Sequence, residues 1–103
     1  MKNIMLVCSA GMSTSLLVTK MEKAADEKGI EVNIFAVSEA EAINHFNEID
    51  ILLLGPQVRF LKAKLEKQLE SYHVPVKVID SVDYGMVNGE KVLDSALEEL
   101  SGK

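Results

Sequence analysis

Apolar residues recur along this chain in two rhythms, and the alternation between them predicts an architecture. Asn3 to Val7 and Ile49 to Leu54 are apolar runs too short for helices, and they predict strands buried on both faces. After the first run, Leu17, Val18, Met21, Ala24 and Ala25 share one face of a segment from Leu16 to Lys28, with Lys20, Glu22, Lys23 and Glu27 elsewhere. This is an amphipathic helix, with Ser13 or Thr14 as its expected N-cap and Gly29 where a left-handed C-cap belongs. From Glu31 to Val37 the pattern alternates, Val32, Ile34 and Ala36 against Glu31, Asn33 and Phe35, which suits a wetter edge strand. Ser38-Glu39-Ala40-Glu41 has the form of a capping box and predicts a short helix with Ile43 and Phe46 inward.

Gly55-Pro56 stops the second buried run, and a helix is expected from about Val58, where Val58, Leu61, Leu65 and Leu69 share a face. Lys62, Lys64 and Lys67 lie on its solvated side. Val74 to Ile79 is a strand whose Pro75 and Lys77 mark an edge. A turn-rich stretch from Asp80 to Gly89 leads to a last helix, with Val92, Leu93, Ala96, Leu97 and Leu100 packing inward.

The whole reads as four βα units with short connections in one α/β domain, residues 1–103. Alternating strands and helices imply a parallel sheet with right-handed crossovers and helices on both faces. The two fully apolar strands take the centre and the other two the edges, which gives the order 2-1-3-4. Chain direction across the sheet then reverses between the first and third strands, whose carboxyl ends form the crevice where such sheets bind ligands. Cys8 stands at one of these ends and Gly55-Pro56-Gln57 at the other.

Composition narrows the classes. A net charge of −5 disfavours nucleic acid as a partner, and no apolar run approaches the roughly 20 residues that cross a bilayer. A single cysteine excludes an internal disulfide, and no second Cys or His stands at zinc-ligand spacing. The start, Met1-Lys2-Asn3, lacks a secretory cleavage pattern, so a cytoplasmic, reducing location is expected. No metal or other cofactor is expected. His45 and His73 are expected at the surface, away from Cys8.

The chemistry gathers at Cys8-Ser9-Ala10-Gly11-Met12-Ser13-Thr14-Ser15, between the first strand and its helix. Loop amides and a helix start favour an anion, either the Cys8 thiolate or a phosphate carried on it. A lone cysteine ending a core strand is also often an inert small hydrophobe. The hydroxyls of Ser9, Ser13, Thr14 and Ser15 suit a phosphate and suit turns or caps equally. Gln57 is a candidate contact for phosphate or partner, and Tyr84 stands at the same end of the sheet. The small tyrosine phosphatases offer a comparison, because they carry an Arg six positions after their strand-end cysteine. Here that position is Thr14, which removes the bidentate clamp, and no Asp-Pro pair supplies their general acid. Such a site holds phosphate on sulfur and is poorly equipped to give it to water. A thiol sensor without enzymatic activity is a further alternative. A nucleotide-binding module lacks both the Gly-x-Gly-x-x-Gly pattern and the P-loop lysine.

The string from Leu6 to Leu17 around Cys8, the segment Leu53-Leu54-Gly55-Pro56-Gln57, and Val78-Ile79-Asp80-Ser81 followed by Tyr84-Gly85 resemble the IIB component of the lactose/cellobiose class of the sugar phosphotransferase system. The resemblance covers essentially the whole chain and is strongest toward cellobiose and chitobiose members. It implies a fold like that of the small tyrosine phosphatases and a phosphoryl carrier. Cys8 would accept phosphate from a phosphohistidine of the IIA component and pass it to a disaccharide bound in the membrane component IIC. The loop Ser9 to Ser15 would cradle the phosphoryl group. The carrier is expected to be a monomer in isolation, not itself inserted in the membrane.

Overall fold

The computed structural model describes residues 1–8 and 14–101 in full, together with the helical backbone of residues 11–13. Four parallel strands, β1 (Lys2–Val7), β2 (Val32–Val37), β3 (Ile51–Leu54) and β4 (Val76–Val78), lie side by side in the order β2-β1-β3-β4. Helices α1 (Gly11–Lys28), α2 (Glu39–Ala42), α3 (Lys62–Leu69), α4 (Ser81–Gly85) and α5 (Gly89–Ser101) follow them. The predicted single α/β domain and its strand order are what the structure has.

Pleating divides the central strands between two cores. Ile4 and Leu6 of β1 and Ile51 and Leu53 of β3 face α1 and α5, where they meet Leu17, Met21, Leu93 and Ala96. Met5, Val7, Leu52 and Leu54 point the other way, toward Phe46, Leu61, Leu65 and Leu69 on the side of α2 and α3. Because both faces are covered, both sets are apolar, and the periodicity of two disappears from the sequence. Each large side chain that leaves water contributes about 1.5–3 kcal/mol, which lets a short strand form on tertiary contacts alone.

Polar groups pin the register at the opposite end from Cys8. Asn3 donates its backbone N–H to Asp50 Oδ2 at 2.7 Å and its side-chain amide to the Glu48 carbonyl at 2.6 Å, while Asp50 N–H returns a bond to the Asn3 carbonyl at 2.9 Å. A slip of β3 against β1 breaks all three. Lys28 joins the end of α1 to α5 through Asp94 at 3.0 Å and Glu90 at 3.3 Å.

Several local expectations are corrected. Helix α1 begins at Gly11, so Ser13 and Thr14 fall inside its first turn and cannot be its N-cap. Ser38 does sit at the N-cap of α2, but its side chain makes no capping bond; its carbonyl accepts from Glu41 and Ala42 instead. That helix closes after one turn into a 3-10 segment, Ile43–His45, and the tighter winding turns Ile43 outward, 61% exposed, while Ala42 and Phe46 go inward. Ala36 in β2 is exposed, and only Ile34 of its expected face is fully buried. Strand β3 starts at Ile51, with Ile49 buried in the turn before it. The helix expected from Val58 is preceded by a 3-10 stretch, Pro56–Leu61, in which Val58 leaves helical geometry at φ −118°, and regular α-helix starts at Lys62. Within the turn-rich stretch lies α4.

The predicted solvated lysines are exposed, with Lys64 paired to Glu39 at 3.0 Å. His45 is half-buried, bonded to Glu48 at 2.7 Å and set edge-on against Phe35, while His73 is exposed in the left-handed turn before β4.

Candidate functional site

Three chain segments leave the carboxyl edge of the sheet side by side, because β1, β3 and β4 are neighbours. Val7 pairs with Leu54, the Gly55 N–H donates to the Val7 carbonyl at 3.0 Å, and the Ile79 N–H donates to the Leu54 carbonyl at 2.8 Å. The residues that follow are Cys8, Gly55-Pro56-Gln57 and Asp80. The crevice inferred from strand order is therefore where the cysteine stands.

Cys8 is buried, 7% exposed, and is the chain's only cysteine. What faces its sulfur depends on Gly55. A Cβ at that position would lie 2.7 Å from Cys8 Sγ and 2.7 Å from Gln57 Oε1. Glycine is needed there for space, not for backbone freedom, since its φ is −63°. Thiol and carboxamide thus border one small volume.

Gln57 reaches its position because Pro56 opens the 3-10 segment immediately after β3. Its Nε2 donates to the hydroxyl of Tyr84 at 3.2 Å, and that hydroxyl is also 3.2 Å from Thr14 Oγ1. A chain of neutral polar groups, Gln57–Tyr84–Thr14, ties the β3 loop, α4 and the first turn of α1 together. Thr14 is 3% exposed, the one buried polar side chain among the described residues. An expected cap is in fact an inward-facing hydroxyl, drawn in by the phenol it meets.

Tyr84 is placed by α4. Asp80 caps this helix, accepting from the backbone N–H of Val82 at 2.8 Å and of Asp83 at 3.2 Å. At the other end Val87 takes a left-handed conformation, φ 52°, while its side chain packs on the core beside Tyr84. A β-branched residue is strained there, so the packing and the bond from Asn88 N–H to the Asp83 carbonyl, 2.8 Å, hold the turn against its own preference. The Asp80-Ser81-Val82-Asp83 stretch carried the signal for this helix, a cap residue before a single turn.

Of the residues singled out from sequence, Cys8, Thr14, Gln57 and Tyr84 come together. Ser15 lies in the first turns of α1, exposed, its carbonyl bonded by Thr19. Ser9 and Ala10, and the side chains of Gly11, Met12 and Ser13, lie outside the described residues. Among the described residues no three His, Cys, Asp or Glu side chains group as a metal site would require, and no helix is long and apolar enough to cross a membrane.

The family model for "PTS system, Lactose/Cellobiose specific IIB subunit" matches residues 3–95. The chain belongs to that family. This IIB chain is 47% identical over 97 residues to the oligo-beta-mannoside-specific EIIB component of Bacillus subtilis, covering 94% of each. The solution structure of a cellobiose-specific IIB component from Borrelia burgdorferi superposes with a TM-score of 0.82 at 43% identity, covering 99% of this chain and 94% of that one. A mutant of YwlE from Bacillus subtilis overlays with a TM-score of 0.53 at 14% identity, over 97% and 93% of the two chains, a likeness of fold alone. As an EIIB component, this chain is a phosphotransferase component of sugar transport.

Proposed function

We propose that Cys8 is the phosphorylated residue of this component. The thiolate attacks the phosphorus of a phosphohistidine on the IIA partner. An S–P bond forms, the N–P bond breaks, and the histidine nitrogen keeps the electron pair. A hydroxyl of a sugar bound in the membrane IIC partner then attacks the phosphorus and releases its proton to solvent; an O–P bond forms, the S–P bond breaks, the thiolate returns, and a sugar 6-phosphate is the product. The sugar is of the β-linked disaccharide type, such as cellobiose, chitobiose or lactose.

The observation that carries this is what surrounds the sulfur. It is buried at the end of a central strand, the Gln57 carboxamide borders the same small space, and Gln57 is linked to two further neutral groups, Tyr84 and through it Thr14. A phosphatase loop needs a guanidinium six positions on; here a buried threonine stands there, bonded to a tyrosine. Neutral donors favour a phosphoryl group with less grip than a charged clamp, which suits a group that must leave again. The loop from Ser9 to Ser15 would supply further donors to the phosphoryl oxygens.

In-line transfer brings donor and acceptor to the same sulfur in turn, so both partners use overlapping surface at this end of the sheet. Exposed apolar side chains stand on all three segments that leave it: Leu16 after β1, Phe60 after β3, and Val82 and Met86 after β4, with Phe60 75% exposed. The chain works as one unit, a cytoplasmic monomer between its partners. The deciding experiment is phosphoryl transfer from phosphorylated IIA, followed by locating the phosphate. Cys8→Ser and Cys8→Ala are expected to take up none on residue 8. Normal uptake by Cys8→Ala, or efficient turnover of an aryl phosphate by the chain alone, refutes the carrier.

A further inference from the structure

Gln57 is exposed, with a long side chain of several rotatable bonds, so its own segment does not fix where its carboxamide points. Among the described residues the amide makes one hydrogen bond, to the Tyr84 hydroxyl at 3.2 Å. With that bond made, the other end of the amide borders the space beside Gly55 that Cys8 Sγ also borders. Holding such a side chain still costs rotamer entropy comparable to the worth of the bond, so the tether decides how often the amide is in place. The tyrosine is the firm end of this link. Its ring packs on the core, Asp80 caps its helix, the turn at Val87 closes it, and its hydroxyl is also 3.2 Å from the buried Thr14.

We propose that Tyr84 is a positioning residue for phosphoryl transfer at Cys8, its hydroxyl holding the Gln57 carboxamide beside the sulfur. This rests on the phosphocysteine reading above. A phosphoryl group on Cys8 enters the space that thiol and amide border. The place of the amide therefore decides whether that group finds a polar neighbour there. Cys8 follows β1, Gln57 follows β3 and Tyr84 follows β4, three neighbouring strands in that order. A residue two strands from the cysteine thus acts on it through the segment between them. The role belongs to the hydroxyl alone: phenylalanine keeps the packing of the ring and loses the tether.

The first measurement needs no partner. In the full chain labelled with 15N, relaxation of the Gln57 side-chain amide is expected to show restricted motion, set against Gln68, exposed on α3. In Tyr84→Phe the Gln57 amide should become as mobile as that of Gln68. A Gln57 amide already as mobile as Gln68 in wild type overturns the tether, whether or not the variant folds; so does equal order in wild type and a folded Tyr84→Phe. The second measurement is transfer from phosphorylated IIA, read by mass spectrometry at residue 8. No phosphoryl gain by wild type overturns the phosphocysteine and the positioning role together. Given the gain, Tyr84→Phe is expected to slow single-turnover transfer at saturating IIA by about threefold to tenfold, the worth of one hydrogen bond, with the half-saturating IIA concentration unchanged. A rate within about twofold of wild type, or a loss confined to the half-saturating concentration, overturns the role and leaves the carrier standing. Gln57→Ala should be slowed to a similar degree, and adding Tyr84→Phe to it should cost less than about twofold more, because no amide remains to be held. A larger further loss means that the hydroxyl acts by another route and refutes the proposal.

Discussion

Replacing Gly55 by alanine adds one methyl group in the small space that the sulfur and the Gln57 amide both border. The backbone accepts it, because φ −63° and ψ 151° are ordinary for any residue. Restricting the unfolded chain even favours alanine, by about 0.4–1 kcal/mol. The opposing effect is contact: the added Cβ stands 2.7 Å from Cys8 Sγ and from Gln57 Oε1, where ordinary contact begins at 3.4 Å. The amide can swing aside, but the sulfur has one torsion and a buried setting. Overpacking of this kind costs about 1–3 kcal/mol, so a net loss of about 1 kcal/mol is expected. For a domain of this size that lowers Tm by about 4–8 °C. On the proposed role of Cys8, activity should fall further than stability, since a displaced nucleophile loses attack geometry, and about tenfold slower phosphoryl uptake from IIA is expected. Thermal denaturation and single-turnover transfer measure the two effects. Repeating the substitution in a Cys8→Ala background removes the sulfur, and the stability loss should shrink by at least about 0.5 kcal/mol. An equal loss in both backgrounds, or full-rate transfer by Gly55→Ala, refutes the claim that the glycine exists to make room for the thiol.

Three more perturbations test the frame around the site. At Gly89 a Cβ would lie 2.5–2.6 Å from the backbone of Lys20 and Met21, so Gly89→Ala must push α5 off α1; a loss of about 2–3 kcal/mol in denaturant unfolding is expected, and an unchanged midpoint would contradict that close approach. Asp80→Ala removes the cap of α4 and should cost about 0.5–2 kcal/mol, with amide exchange accelerated across Ser81–Gly85 and the Tyr84 resonances broadened. The pKa of Lys28 is raised above its ordinary 10.5, first by its hydrogen bond to Asp94 and then by that to Glu90. Its link between α1 and α5 is thus complete below that pH and lost as pH rises through the raised value, so the stability difference between wild type and Lys28→Met should narrow in strong alkali; a difference that grows instead would reverse the sign.

The fold was legible because it is written in apolar runs. Ile4 to Val7 and Ile51 to Leu54 are apolar at every position only because helices cover both faces, and this alone orders the strands and puts Cys8 opposite Gly55. Local devices were less legible. Ser38 and Glu41 spell a capping box whose side-chain bond does not form, and Ile43 fits an inward stripe only if the helix keeps its α period, which it does not.

By itself, then, the sequence determined the α/β class, the sheet order and the place of Cys8 at the carboxyl edge of the sheet, since each follows from local periodicity or from strand connectivity. Only the tertiary structure decided how Thr14, Gln57 and Tyr84 relate to one another. They come from three separate elements, 70 residues apart at the extremes, and their hydrogen bonds leave no periodic trace in the chain. Thr14 was conspicuous as the residue standing in place of an arginine. The fold gives that position a partner, because neighbouring parallel strands deliver three carboxyl ends to one edge and a hydroxyl buried there has to find another polar group.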